Sequence, residues 1–240
     1  RRSTTASRSG RPATSTFLWW PRTSSTTPAG PTSWATPAWG RAPGDYSSKL
    51  RLALDPDRSA MTSTRAILLH LLDTLEANVD GAKADLDSEF LHDLRVTTRR
   101  TRSALSQIKG VFPEAVVEDF KARFGWIGQI TGPTRDLDVY LLKQDAYKAM
   151  LPDVLRNDID PLFRHLRKKR AKAFQHVVRF LKSKKYAKII KDWKAFLNKP
   201  PPDPPTASNA ELPVIELARQ RIYKKYRGLF KTGSNILANT

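Results

Sequence analysis

The chain has no cysteine, which excludes a disulfide framework, a thiolate zinc site and a cysteine nucleophile. Acids are scarce: 23 Asp and Glu stand against 42 Lys and Arg, a net charge of +19 over 240 residues. Such an imbalance acts on partners and association rates rather than on fold, so acidic partners are the first suspects. Long apolar runs are missing as well. The longest, Ala66 to Leu69 with Leu71 and Leu72, is broken by His70 and Asp73 and falls far short of the ~18 to 20 apolar residues of a membrane span. A protein that is soluble, or at most surface-bound, is expected. A Gly-x-x-x-x-Gly-Lys phosphate loop is absent, and so is the Glu-x-Glu-x-Lys pattern of triphosphate tunnel enzymes.

Residues 1–44 contain no acid, little aliphatic side chain and many Ser, Thr and Pro, so they cannot bury enough apolar surface to offset the entropy of ordering. They read as a disordered tail. Trp19, Trp20, Trp34 and Trp39 are unusual for disorder. Two readings stay open: an Arg- and Ser-rich organelle-targeting segment, or an upstream stretch never selected to fold. The tail holds six of the arginines, so the remainder keeps 36 basic against 23 acidic residues, +13. The basic character belongs to the folded part.

From Ser59 onward the pattern is one of long helical periods with no hairpin signal, and the fold class is all-α, a bundle of long antiparallel helices. Helix one is expected from Met61 to Asp80, with Gly81 as its left-handed cap. Helix two runs from Ser88, a good N-cap, to Lys109 and stops at Gly110. Pro113 opens helix three, which Gly132 and Pro133 end, and Thr134 to Met150 form helix four. After Pro152 or Pro161 a very basic helix five reaches Lys182, and Tyr186 to Leu197 continues or restarts it. A first helical unit thus covers 55–197. Residues 198–209, with their KPPPDPP core, read as a semi-rigid linker, and 210–240 as a last segment with a helix from Val214 to Lys231.

Helix two, SEFLHDLRVTTRRTRSALSQIKG, places His92, Arg95, Arg99 and Arg102 within a stripe about 80° wide at 100° per residue. Phe90, Leu91, Leu94, Leu105 and Ile108 form the adjoining core face, and Arg100 points elsewhere. The bland alternative is a solvated charged face, but like charges at i,i+3 and i,i+4 repel by a few tenths of a kcal/mol per pair, and only Glu89 and Asp93 are near. Helix five repeats the device: from Pro161 through Lys185 there are ten Lys or Arg and no acid. Arg164, Lys168, Lys172, Arg179 and Lys182 share another stripe about 80° wide. Side by side, the two helices would build a cationic groove whose charges recur once per turn, ~5.4 Å, as a linear polyanion requires. Single-stranded nucleic-acid binders interleave stacking aromatics with such cations. Here Phe163, Phe174 and Phe180 lie on the apolar face, which favours a ligand of phosphates alone; a duplex held by its backbone stays open.

Catalytic signals are thin. His92-Asp93 invites comparison with metal-dependent phosphohydrolases, but His70, His165 and His176 have no ligand spacing with it, and Asp93 turns about 100° away. Neither catalysis nor a metal or other cofactor is expected. Asp136 and Asp138 in GPTRDLDVYLL are placed in the first turn of helix four, where the helix dipole favours acids, as partners for Arg95 or Arg99.

FLHDLRVTTRRTRSAL, then GPTRDLDVYLL, then RHLRKKRAKAF leading into KSKKYAKIIKDW, resemble in this order a CHAD domain, the conserved histidine α-helical domain, from about Asp55 onward. The resemblance implies two similar four-helix halves about a pseudo-twofold axis and binding of inorganic polyphosphate in a basic central groove. It puts the family's His-x-x-Arg on His92 and Arg95, with Arg99, Arg100 and Arg102 at the following basic positions and Arg65 and Asn78 at further family positions. Sulfate or phosphate are further anions such a groove would take, and a cytoplasmic location with polyphosphate granules would follow. The family often follows a CYTH domain, which nothing in residues 1–50 resembles. LARQRIYKKYRGLFKTG resembles the first helix of the second half, and no second His-x-x-Arg helix follows it. A truncated product or a homodimer that rebuilds the groove is therefore expected, with the apolar faces of helix one and of Val214 to Lys231 lacking partners within the chain.

Overall fold

The computed structural model describes residues 52–200 and 206–238, so the expectations for residues 1–44 and for 201–205 of the proline-rich segment fall outside the described residues. Seven α-helices carry the rest: α1 (Ala60–Ala84), α2 (Ser88–Gln107), α3 (Glu114–Leu142), α4 (Gln144–Ala149), α5 (Asp160–Leu181), α6 (Lys184–Asn198) and α7 (Val214–Ala238). Among the described residues there is no strand, only an isolated bridge between Ser59 and Pro213. None of the described helices is long and apolar enough to cross a membrane.

Short polar side chains set the helix starts. Ser59 accepts from the Thr62 N–H, Asp87 from the Glu89 N–H at 2.8 Å, and Ser183 from the Tyr186 N–H at 3.1 Å; each such cap stabilises its helix by about 1 kcal/mol. The α2 cap is thus Asp87 rather than the expected Ser88. Short connections make successive helices antiparallel neighbours: α1 packs on α2, α2 on α3 and α3 on α5, with α6 and the start of α7 laid against α1. Leu68, Leu71, Leu72 and Leu75 of α1 are buried with Leu94 and Leu105 of α2, Phe124 and Ile127 of α3, Val177 and Phe180 of α5 and Trp193 of α6. The face of α1 is therefore filled from within the chain, contrary to expectation. Trp193 stands 4.5 Å from Phe120 and 5.4 Å from Phe124 between ring centroids; such aromatic pairs add ~0.5–1.5 kcal/mol beyond their area.

Two helix ends differ from the sequence reading. Gly81 is inside α1, and the left-handed residue is Asp85 at φ 54°. A Cβ on Gly81 would lie 2.5 Å from the Phe90 ring, so this glycine serves the close approach of α2 and not a cap. More consequentially, Gly132 and Pro133 do not end helix three. α3 runs through them to Leu142, and only a short α4 follows, so no helix spans Thr134 to Met150. An interior proline costs ~3 kcal/mol through its missing N–H and ring clash. Both sides of it are held by other elements: Arg95 Nη1 donates to the Gly128 carbonyl at 2.8 Å and to Thr131 Oγ1 at 3.1 Å before the proline, and Arg170 Nε donates to Asp138 Oδ1 at 2.7 Å after it. α5 opens with Pro161 in its first turn, and Ser183 restarts the chain as α6.

Candidate anion-binding site

His92, Arg95, Arg99 and Arg102 share a cleft of about 470 Å³ between α2 and α3. Its α3 wall is built of Gly125, Gly128, Gln129, Arg135 and Val139. A Cβ on Gly125 would come 3.6 Å from Arg102 Nε, one on Gly132 would come 3.4 Å from Arg95 Nη1, and one on Gly128 would meet nothing within 4 Å. The Arg102 and Arg95 guanidinium groups thus lie at ordinary van der Waals range of the α3 backbone, and Gly128 leaves an open floor between them. Each glycine costs ~1 kcal/mol of helix propensity relative to alanine. The sequence signal was in plain view: in one continuous helix, positions 125, 128, 132, 135 and 139 recur every three or four residues on one face. A helix ended at Gly132-Pro133 places Arg135 on another element and hides both the glycine floor and this fourth arginine.

The charges are poorly compensated. Arg99 and Arg102 are exposed and form no ion pair among the described residues. Arg95 is half-buried, and its bonds to Gly128 and Thr131 make it a strut between the walls. Burial pulls its pKa down, against the pull of nearby Asp136, yet a guanidinium stays charged. Arg135 reaches Glu89 at 3.5 Å, while its Nη1 is buried without a hydrogen-bond partner. A buried, unpartnered N–H costs about 1–3 kcal/mol and calls for an acceptor. Asp93, buried on the other side of α2, has its pKa raised, first by desolvation.

The remaining expected site residues lie elsewhere. Arg65 donates to the Lys199 carbonyl at the end of α6 and lines no part of the cleft. Asn78 is buried and donates to the Thr74 carbonyl at 2.7 Å. Arg164, Lys168, Lys172, Arg179 and Lys182 are exposed as expected, but α5 packs mainly on α3, and none of the five lines the cleft. The expected groove between helices two and five is thus replaced by one between α2 and α3, because α3 takes the place beside α2. Asp138 partners neither Arg95 nor Arg99. It pairs with Arg170, whose guanidinium also makes a bidentate pair with Asp85 and lies 4.9 Å from the Phe174 ring centroid. That clamp was missed, although Arg170 falls about 240° from Arg164, within the apolar arc of its helix. Among the described residues no three His, Asp or Glu side chains are grouped to hold a metal ion.

No curated protein matches the sequence. The crystal structure of the CHAD domain from the plant Ricinus communis superimposes with a TM-score of 0.60 at 25% identity, covering 77% of this chain and 59% of that one. The chain thus spans less than two thirds of the length of that structure. The family profile described as CHAD domain matches residues 66–240, a span that holds α2, α3 and the whole cleft between them, and by that match the chain belongs to the CHAD domain family.

Proposed function

We propose that the chain binds inorganic polyphosphate in the α2/α3 cleft and holds it without turnover. The observation that carries this reading is the pairing of exposed, uncompensated Arg99 and Arg102 with the unpartnered buried Nη1 of Arg135 over a floor stripped to glycine. Guanidinium groups present planar forks matched to phosphate oxygens, and the glycine floor lets a bare phosphate chain approach the helix closely. Apart from the cations and His92, the side chains of the cleft are small or aliphatic, with Gln129 the one amide. With no Phe, Tyr or Trp ring in its lining, the cleft offers charge and none of the large stacking platforms of single-strand binders. Arg164, Lys168 and Lys172, outside the cleft, add to the positive field that raises encounter rates.

The test is a competition titration of polyphosphate against single-stranded RNA of equal charge at ~150 mM salt, where nonspecific phosphate contacts weaken. Polyphosphate is expected to win, and Arg99→Ala to weaken it and flatten its salt dependence, while Arg100→Ala does less. Equal affinities for the two polymers would favour a backbone-reading nucleic-acid binder. Release of inorganic phosphate on addition of a divalent metal would show an enzyme instead.

A further inference from the structure

α7 leaves the bundle after its first turns. The Val214 N–H donates to the Arg58 carbonyl at 2.9 Å, the Ile215 N–H donates to the Pro56 carbonyl at 3.1 Å, and Leu217 is buried with the core. From Ile222 to Leu237, by contrast, every residue is exposed. That stretch has weak intrinsic support, because Gly228, Thr232, Gly233, Ser234 and Asn235 are poor helix formers, and a helix in a protein draws most of its stability from burying one face. A face suited to burial is there. At 100° per residue Ile222, Tyr223, Tyr226, Leu229, Phe230 and Leu237 share an arc about 120° wide, into which no charged residue of 222–237 falls. These six are between 61% and 81% exposed.

The rest of the circumference is cationic. Lys225 and Arg227 border the apolar arc on its two sides, with Lys224 and Lys231 behind it. α7 holds six Lys or Arg and one acid, Glu216, which stands 3.8 Å from Arg219 near the attached end. The cationic side looks back at the bundle: Arg221, Lys224 and Lys225 face Ser106 and Lys109 across a gap that Tyr223, Tyr226 and Phe230 do not line. The rings therefore point away from α2.

These charges decide what fits the face. A second copy of α7 would set Lys225 and Arg227 against like charges, and beyond Glu216 the helix has no acid to answer them. A bilayer with anionic headgroups answers both arcs at once. The apolar arc enters the acyl boundary, while Lys225 and Arg227 extend their stems to the lipid phosphates, as on helices that lie in a membrane interface. Tyr223 and Tyr226 suit that depth, with an apolar ring and a polar tip. We infer that α7 from Ile222 to Leu237 is an interfacial anchor that docks the chain on an anionic lipid surface, lying in the plane of the headgroups. This role does not depend on the ligand of the α2/α3 cleft.

The experiment is cosedimentation of the full chain with vesicles of equal parts phosphatidylcholine and phosphatidylglycerol, and with vesicles of phosphatidylcholine alone. The wild type is compared with Tyr226→Ala/Leu229→Ala/Phe230→Ala, which keeps the charge and the helix propensity. The wild type is expected to bind the anionic vesicles and to leave the neutral ones. The triple variant should lose about tenfold or more in affinity, since binding of such helices scales with the apolar area they bury, and it should melt as the wild type does without lipid. Because the chain has no cysteine, Tyr226→Cys and Asn235→Cys each carry one environment-sensitive dye, on opposite sides of α7. Anionic vesicles should shift the emission to the blue at 226 and leave it unchanged at 235. Equal vesicle binding by the triple variant would reduce the attraction to net charge and overturn the anchor. A lowered melting temperature of that variant would show a face already covered within the fold, which overturns it as well. A dimer in light scattering that the triple variant abolishes would assign the face to a second copy. A loss for single-stranded RNA as large as that for vesicles would assign the rings to base stacking, and either result overturns the lipid surface.

Discussion

Gly128 offers a perturbation whose two outcomes separate folding from binding. Its missing side chain would point into the α2/α3 cleft, where a Cβ meets nothing within 4 Å, so Gly128→Ala removes no contact and creates no clash. Replacing an interior helical glycine by alanine recovers about 1 kcal/mol, which in a domain of this size raises the melting temperature by about 2–4 °C. The carbonyl that accepts from Arg95 belongs to the backbone and is retained. Gly128→Leu keeps most of the same propensity gain but drives an isobutyl group into the space between Arg99, Arg102 and Arg135. Both variants should therefore melt at or above the wild-type temperature by circular dichroism, while only Gly128→Leu loses tripolyphosphate binding by titration calorimetry. A lowered melting temperature for Gly128→Ala would show that the floor is packed rather than open. Unaltered binding by Gly128→Leu would show that the anion does not approach α3.

Gly81→Ala should do the opposite of Gly128→Ala: its Cβ would sit 2.5 Å from the Phe90 ring, and overpacking of that kind costs about 1–3 kcal/mol, so urea denaturation should shift to a lower midpoint. Arg170→Met leaves the carboxylate of Asp138, 4% exposed, without its partner; a loss of about 3–5 kcal/mol is expected, and adding Asp138→Asn should restore part of it, as a double-mutant cycle would reveal. Burial raises the pKa of Asp93 above its unfolded value of 3.8. The stability this group contributes is therefore present below that value and is lost as pH rises through the folded value. Thermal melts should accordingly show Asp93→Asn gaining on the wild type between pH 3.5 and pH 7, and a constant difference across that interval would refute the assignment.

The helical class and the α2 stripe were legible because apolar and cationic residues recur with the helical period over many turns; the limits of α2 were legible only to within about two residues, since Asp87 caps it and it ends at Gln107, ahead of the left-handed Gly110 at φ 73°. Gly81 and the Gly132-Pro133 pair misled for a common reason. Local propensity marks them as punctuation, whereas tertiary packing overrides it: Gly81 admits the Phe90 ring, and the Gly132-Pro133 pair is carried inside α3 between the grips of Arg95 and Arg170. The neighbour of α2 was equally invisible. A stripe on α5 and a glycine face on α3 are both periodic, and which of them lies beside α2 depends on the order of packing in the bundle, to which single-helix periodicity is blind. Arg170 shows the converse case, a cation placed on an apolar arc because two carboxylates, Asp85 and Asp138, meet it there.

Pro133 has a mechanical consequence for the cleft. Without its N–H, the carbonyl of Gln129 loses the donor that would tie the two parts of α3 together at that turn. The glycine floor at 125 and 128 lies on one side of this missing bond and Arg135 on the other. The angle between floor and wall is accordingly set less by the helix than by what grips each part, Arg95 on the first and the Arg170 clamp on the second. Cleft width is therefore a property of the whole bundle, transmitted through two arginines, and a loosened α5 would be felt as a change of aperture at a site that α5 does not line.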